Sequence, residues 1–372
     1  MSKVLFLTLK VFSATGGIEK VCRVAGKALY EQSLLGQQQT HIMSMHDQQV
    51  DVDDNPYFPS EIFEGFGAKK GRFVKEAVQK GVEADVVILS HINLLLVGWF
   101  IKRFSPKTTI FLFAHGIEIW EPLKGIRKKM LASIDVFLCV SNYTKQMIQQ
   151  KQGIDPAACL VLNNCIDPYL PLPRKDKNRS ALLAVHQLPE DSMLLFTLTR
   201  LASKDRYKGY DKVMEAMALI KDRYPKMRYL IGGGYDAIEK AFVDAEIKRL
   251  GLEDTVIIAG YLPEDELADY FASADIYVMP SKKEGFGIVF IEAMYYGLPV
   301  IAGNVDGSVD ALLNGELGLL VNPESVEEIK EALEKMINNT EALKPNRKLL
   351  MEHFSYESYK WKLQEIFKLN IV

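Results

Sequence analysis

The stretch Ile276–Met294, IYVMPSKKEGFGIVFIEAM, contains one complete unit of a fold class. A short apolar run reads as a buried strand, Pro280 and a polar turn follow, and an apolar helix opens after a Gly-Phe-Gly break at 285–287. Gly285 and Gly287 let the backbone turn tightly and approach a ligand closely. The helix beginning near Gly287 offers N–H groups and the positive end of its dipole, a seat for phosphate. Phe286, Ile288 and Val289 complete that turn. Two carboxylates flank it: Glu284 on the loop and Glu292 about 1.5 turns inside the helix. Carboxylates this close to a phosphate suit sugar hydroxyls, which donate hydrogen bonds. The pattern describes a sugar-nucleotide site better than a surface helix with an acidic start.

Outward from this unit the same alternation repeats. Val4–Leu9, Ala84–Leu89, Thr109–Phe113, Val136–Val140 and Leu160–Leu162 read as buried parallel strands, most of them followed by a helical pattern. A polar stretch at Pro171–Ser180, PLPRKDKNRS, interrupts them. The pattern restarts with Met193–Thr199, Met227–Ile231, Val256–Ala259, Ile276–Met279 and Pro299–Ala302. Strand-helix alternation of this kind predicts an α/β fold of two doubly wound, Rossmann-like domains facing across a cleft. The boundaries expected are 1–175 plus about 355–372 for the first domain and 176–354 for the second. The segment Phe354–Leu369, with a Ser355 cap and aromatic residues at helical spacing, is expected to pack back on the first domain.

A chain of 372 residues exceeds the usual size of a single core, in agreement with two domains. A net charge of −3 gives no support to nucleic-acid binding. Residues 1–175 hold 21 Lys and Arg against 16 Asp and Glu, so the first half is the positive one and is expected to face something anionic. Cys22, Cys139, Cys159 and Cys165 show neither metal spacing nor a disulfide pattern, which places the chain in a reducing compartment. MSKVLFLTLKVF reads as a first strand rather than a signal peptide. The apolar run Ile92–Ile101 is half of the ~20 residues that cross a bilayer. A cytoplasmic protein is expected.

The second domain opens with TLTRLASKDRYKGYDKVMEAM, which puts Arg200 at the end of a strand and Lys208-Gly209 before a helix. Ligands bind beyond the carboxyl ends of strands in open α/β sheets. Arg200 and Lys208 there can neutralise a diphosphate and stabilise charge on a leaving phosphoryl oxygen. LIGGG at Leu230–Gly234, including Gly233, gives a tight turn that is either open to a ligand or unligated. Gly260-Tyr261-Leu262 follows the next strand, where its backbone can face a nucleobase edge.

In the first domain Gly16-Gly17 follows strand one and opens a helix without forming GxGxxG. FAHGIEIW places His115 just past a strand end, followed by Gly116. No His/Cys constellation appears, and Asp51 and Asp53 read as a solvated loop. No metal and no cofactor are expected, since the two cations and a helix N-terminus supply the positive charge Mg²⁺ would bring.

Together these residues resemble the retaining glycosyltransferases of family 4, which have the two-domain GT-B fold. The resemblance covers nearly the whole chain: Gly16-Gly17, HG at 115–116, VSNYTK at 140–145, LNNCID at 162–167, Arg200 with Lys208-Gly209, GGG at 232–234 and the E-x7-E segment. It implies that Arg200 and Lys208 bind the diphosphate, Glu284 the donor sugar and Glu292 the ribose, with amides of Gly287–Val289 also serving the donor. It puts His115 near the transferred sugar and implies transfer of a hexosyl group from a UDP- or GDP-sugar, by front-face attack, to a saccharide or lipid-linked acceptor. HGIEIW is similar to enzymes that build bacterial exopolysaccharides and lipid-linked saccharides. The family often has Asn-Gly where this chain has Asn164-Cys165.

Other readings of the fold are an inert nucleotide-sugar-binding subunit that supports a partner enzyme, or a sugar-nucleotide epimerase. The first domain adds a further expectation, peripheral contact with an anionic membrane through Lys69, Lys70 and Arg72, Lys102 and Arg103, and Lys124, Arg127, Lys128 and Lys129, with Trp120 at the headgroups.

Overall fold

A run such as VVIL at Val86–Leu89 is too apolar to face water on either side, and every strand of this kind lies inside a parallel sheet. The computed structural model describes residues 2–36, 38–172 and 179–370. Two compact units emerge: Met1–Tyr169 with Ser355–Val372, and Leu170–Phe354. Residues 173–178 of the expected linker lie outside the described residues.

The first unit holds strands β1 (Ser2–Thr8), β2 (Gln38–Ser44), β3 (Phe63–Gly65), β4 (Val86–Leu89), β5 (Thr109–Ala114), β6 (Val136–Cys139) and β7 (Cys159–Val161). All pair in parallel, in the order β3-β2-β1-β4-β5-β6-β7. The second holds β8 (Met193–Leu198), β9 (Met227–Gly232), β10 (Val256–Gly260), β11 (Ile276–Met279), β12 (Val300–Gly303) and β13 (Leu319–Val321), in the order β10-β9-β8-β11-β12-β13. Both sheets grow in one direction from their first strand and then reverse, the doubly wound plan. Strands β2, β3 and β13 go beyond the sequence reading. β3, FEG, is short and half polar, β13 is three residues long, and β2 turns polar Gln38 and Thr40 inward.

The chain's last helix, Tyr356–Asn370, belongs to the first unit. Tyr356, Tyr359, Leu363 and Phe367 are its buried stripe, spaced at three and four residues as a single helix face requires. Phe367 meets Phe111 of β5 with ring centroids 5.1 Å apart, and Lys360 reaches Glu31 of the Gly17–Leu34 helix at 2.9 Å. All four cysteines are buried free thiols. Cys165 stands outside the positive-φ set, so that site makes no use of glycine's freedom.

Two expectations need correction. Trp120 is 6% exposed and packs edge-on against Tyr143 at 5.1 Å, so it is a core residue and no headgroup anchor. Asp51 is no solvated loop residue: it accepts from the Gln48 amide at 2.8 Å in a capping box on the short 3₁₀ helix Gln49–Val52.

Truncating Phe367 to Ala removes a buried ring from this junction, and a cost of about 3–5 kcal/mol is expected. A urea titration followed by fluorescence measures it, and an unchanged midpoint would show that the last helix contributes nothing to the first unit's stability.

Candidate functional site

In each sheet the strand order reverses between two neighbouring strands, β1 and β4 in the first and β8 and β11 in the second. Loops leaving such a pair diverge to opposite faces and open a crevice beyond the strand ends. In the second unit those loops are 199–209 and 280–287, the two segments that carry Arg200, Lys208 and Glu284.

They are tied together by backbone. Lys282 N donates to Tyr207 O at 2.9 Å. Gly209 has φ +79°, and a Cβ there would stand 2.3 Å from Pro280 O, so only glycine admits this approach. Across the junction the Lys208 ammonium donates to the Glu284 carboxylate, with the two side chains 19% and 14% exposed. Burial alone would lower the Lys208 pKa, but Glu284 and Tyr207 beside it hold it above the ordinary lysine value. Arg200 is more open, 64% exposed, and its Nε and Nη2 lie 2.7 and 2.5 Å from the Asp205 carboxylate.

A third cation, Arg206, anchors the same loop. Its Nε donates to both oxygens of Glu239 at 3.0 and 2.9 Å, its guanidinium lies 3.7 Å over the Phe242 ring, and Tyr210 Oη donates to Glu239 at 2.5 Å. Glu239 itself is fully buried. Burying an acid is costly unless donors surround it, and here a guanidinium and a phenol supply them. That charged group therefore fixes the course of the Lys208 loop.

The Glu284 loop has its own buried acid. Glu284 N donates to Asp306 Oδ2 at 2.6 Å, Ser308 N to Oδ1 at 2.9 Å, and Gly307 N returns a bond to Glu284 O at 2.9 Å. A Cβ on Gly307 would sit 2.1 Å from Gly285 O, so the two segments touch through backbone. Asp306 is 1% exposed; burial first, and then the charge of Glu284, push its carboxyl up to about 7. Asp306 was missed by the sequence reading because NVDGS has the composition of any turn.

Beyond this loop the Ile288–Tyr295 helix begins at Gly287, whose φ is +86°, and no side chain caps it. Ile288 and Val289 are partly exposed, Phe286 and Phe290 are buried, and Phe290 N bonds to Gly287 O at 3.0 Å. Glu292 is 3% exposed, with Tyr277 and Tyr296 near its charge. Gly233 packs the sheet end: its φ is +131°, a Cβ would meet Thr199 O at 1.9 Å, and its N–H donates to Gly260 O at 2.7 Å. Leu262 is core, wedged against Gly232, whereas Tyr261 is 68% exposed.

The first unit holds the remaining candidates. The loop between β1 and the Gly17–Leu34 helix wraps the buried carboxylate of Asp47, which accepts from Val11 N at 2.6 Å, Phe12 N at 3.2 Å, Ser13 N at 2.7 Å and the Ser44 hydroxyl. That loop delivers Gly16 in extended backbone and Gly17 at the helix start. His115 follows β5; its Nε2 lies 2.8 Å from Ser90 O and its ring stacks on Phe113 at 5.7 Å. A carbonyl only accepts, so Nε2 carries a proton and Nδ1 is left for other partners. Among the described residues no group of three or more His, Cys, Asp or Glu is arranged to hold a metal ion.

Comparison with known proteins matches the family described as "Glycosyltransferase Family 4" to residues 16–170 and that described as "Glycosyl transferases group 1" to residues 178–360. A GDP-mannose-dependent alpha-(1-6)-phosphatidylinositol monomannoside mannosyltransferase of Mycobacterium tuberculosis is 29% identical over 63% of this chain, and the match spans 62% of that relative's length. An uncharacterized glycosyltransferase of Haemophilus influenzae is 26% identical over 97% of this chain and 99% of its own. Anabaena HepE, solved in complex with UDP and glucose, superposes with a TM-score of 0.78 at 19% identity, covering 99% of this chain and 100% of that one, a likeness of fold. With both family matches in chain order and together reaching from residue 16 to residue 360, the chain belongs to glycosyltransferase family 4.

Proposed function

We propose that this chain transfers a hexosyl group from a nucleoside-diphosphate sugar to a saccharide or lipid-linked acceptor, with retention of configuration and without a metal ion. The observation that carries the reading is the Lys208–Glu284 pair beside an uncapped helix mouth, at the strand-order reversal of the second sheet. In the free protein each cation is held by a carboxylate, Lys208 by Glu284 and Arg200 by Asp205. An arriving diphosphate attracts both cations and takes the helix-mouth amides, which leaves Glu284 to accept from the sugar's hydroxyls. Glu292 is assigned to the ribose and His115, on the first unit, to the neighbourhood of the transferred sugar.

In the reaction the acceptor oxygen bonds to the sugar's anomeric carbon as the bond from that carbon to the phosphate oxygen breaks. The departing phosphate oxygen takes the acceptor's proton, and Arg200 and Lys208 stabilise the charge that develops on it. Neither glutamate acts as a nucleophile. The mycobacterial relative's name specifies GDP-mannose and the Anabaena structure holds UDP, so both donor bases belong in the screen. A donor at a hundredfold its Kd stabilises the fold by about 2.7 kcal/mol, readily seen as a thermal shift. Consumption of that donor by this chain without an added partner protein separates an enzyme from an inert binding subunit.

Lys208→Ala and Glu284→Ala are expected to fold normally and to lose transfer by roughly 10²–10³-fold, the usual effect of removing one group that stabilises a developing anion or its orientation. Turnover at the wild-type rate in either variant removes that residue from the site.

The acceptor side is proposed to dock on anionic membrane. Helices Leu95–Phe104 and Gly125–Leu131 pack against each other and expose Leu96, Phe104 and Ile126 beside Arg103, Lys124, Arg127, Lys128 and Lys129. Apolar side chains framed by cations suit a lipid headgroup layer, at about 1 kcal/mol per cation near the surface. Lys102 and Arg72 contribute little, since Asp135 and Glu76 already hold them. Among the described residues no helix is long and apolar enough to cross a membrane. The protein is expected to float with anionic vesicles, to leave them at high salt and to ignore neutral ones; absence from both kinds ends the idea.

A further inference from the structure

Two segments far apart in sequence meet at Glu284, through the buried carboxylate of Asp306 as well as through the backbone bond from Gly307 N to Glu284 O. Asp306 Oδ2 lies 2.6 Å from Glu284 N, Oδ1 lies 2.9 Å from Ser308 N, and the side chain is 1% exposed. We infer that Asp306 is a positioning residue for the donor site: its carboxylate holds the Glu284 amide and so sets where the Glu284 side chain meets Lys208. The inference deepens the transferase reading and rests on it for its functional meaning. Its structural content stands alone.

The physical reasoning follows from what a carboxylate can accept. Ionised, Asp306 offers acceptors to both amides at once, and such charge-assisted bonds are roughly twice as strong as neutral ones. Protonated, it becomes a weaker acceptor whose O–H also needs a partner. The amides favour the charge, burial and Glu284 oppose it, and the balance falls at about 7. The ionisable group that bears on it is Glu284, from the loop packed against it and itself held by Lys208.

Positioning and stability should therefore change in opposite directions with pH. The folded pKa lies above the unfolded value of 3.8, so the folded state holds a proton that the unfolded state releases between about 4 and 7. Asp306's contribution to stability is fully present below the lower of these and is lost as pH rises through the higher. The grip on Glu284 strengthens over the rise through 7. A side chain that merely fills space would move neither quantity.

The test is hydrogen exchange of the Glu284 amide in the full-length protein between pH 6 and 8, corrected for intrinsic exchange, with melting temperatures over the same range. In the wild type, protection is expected to rise about tenfold towards pH 8 while Asp306 lowers the melting temperature. Asp306→Asn presents one acceptor and an opposing NH₂; it should exchange about tenfold faster than wild type at pH 8, with no inflection near 7. Protection at Glu284 that is independent of pH in the wild type overturns the proposal, and this comparison holds even if the variant fails to fold. Equal protection in the two proteins at pH 8 overturns it as well. Neither readout uses a donor, so a thermal-shift screen in which no sugar nucleotide binds would sink the transferase reading alone.

Discussion

Three buried carboxylates determine where this protein's functional loops can be. Asp47, Glu239 and Asp306 are 0%, 0% and 1% exposed. An ion moved from water into a protein interior loses several kcal/mol of solvation unless donors replace the water. In each case the donors come from a loop at the carboxyl end of a sheet. Asp47 gathers the amides of Val11, Phe12 and Ser13, Glu239 takes the guanidinium of Arg206, and Asp306 takes the amide of Glu284. The loop cannot leave without stranding the acid's hydrogen-bonding oxygens in the interior.

Glycines supply the second half of this constraint. At Gly209, Gly233, Gly303 and Gly307 an added Cβ would stand 1.9 to 2.3 Å from a carbonyl oxygen of another segment. Real side chains cannot accept that spacing, so the segments approach only because these positions carry none. Charge holds the loops and missing side chains let them close. The Lys208 and Glu284 side chains face each other because loops 199–209 and 280–287 are fixed in both ways.

How much of this was legible in the sequence depends on range. Buried parallel strands announce themselves as continuous apolar runs, and β1, β4, β5, β6, β8, β9, β10, β11 and β12 were read that way to within a residue or two. The glycine turn at 285–287 and the placement of Arg200 and Lys208 on the loop after β8 were legible because strand, turn and helix follow one another locally. Asp306 was not, for its partner lies 22 residues away, and Asp47 is 36 from Val11. Trp120 failed for the same reason: its neighbours look amphipathic, yet its ring is covered by Tyr143 from the Asn142–Gln152 helix. A composition of turn residues says that the chain bends there and nothing about what the bend holds.

The same magnitudes decide whether the site can be occupied. In the proposed function a diphosphate has to separate Lys208 from Glu284 and draw Arg200 from Asp205, the carboxylates that hold these cations in the free protein. Arg200 is mostly exposed, and an ion pair in such a setting contributes about 0–1 kcal/mol, so releasing it is nearly free. Lys208 is more enclosed and its release is harder. Each charge-assisted hydrogen bond to a phosphate contributes about 1.5–3 kcal/mol, and the helix mouth adds amides already pointing at the ligand. The exchange therefore runs downhill only if the freed Glu284 finds hydroxyls of its own, since a stranded carboxylate would cancel the gain. Under the proposed function, a bare diphosphate would leave that carboxylate without a partner and a sugar diphosphate would not, so the salt bridge itself would favour the glycosylated donor.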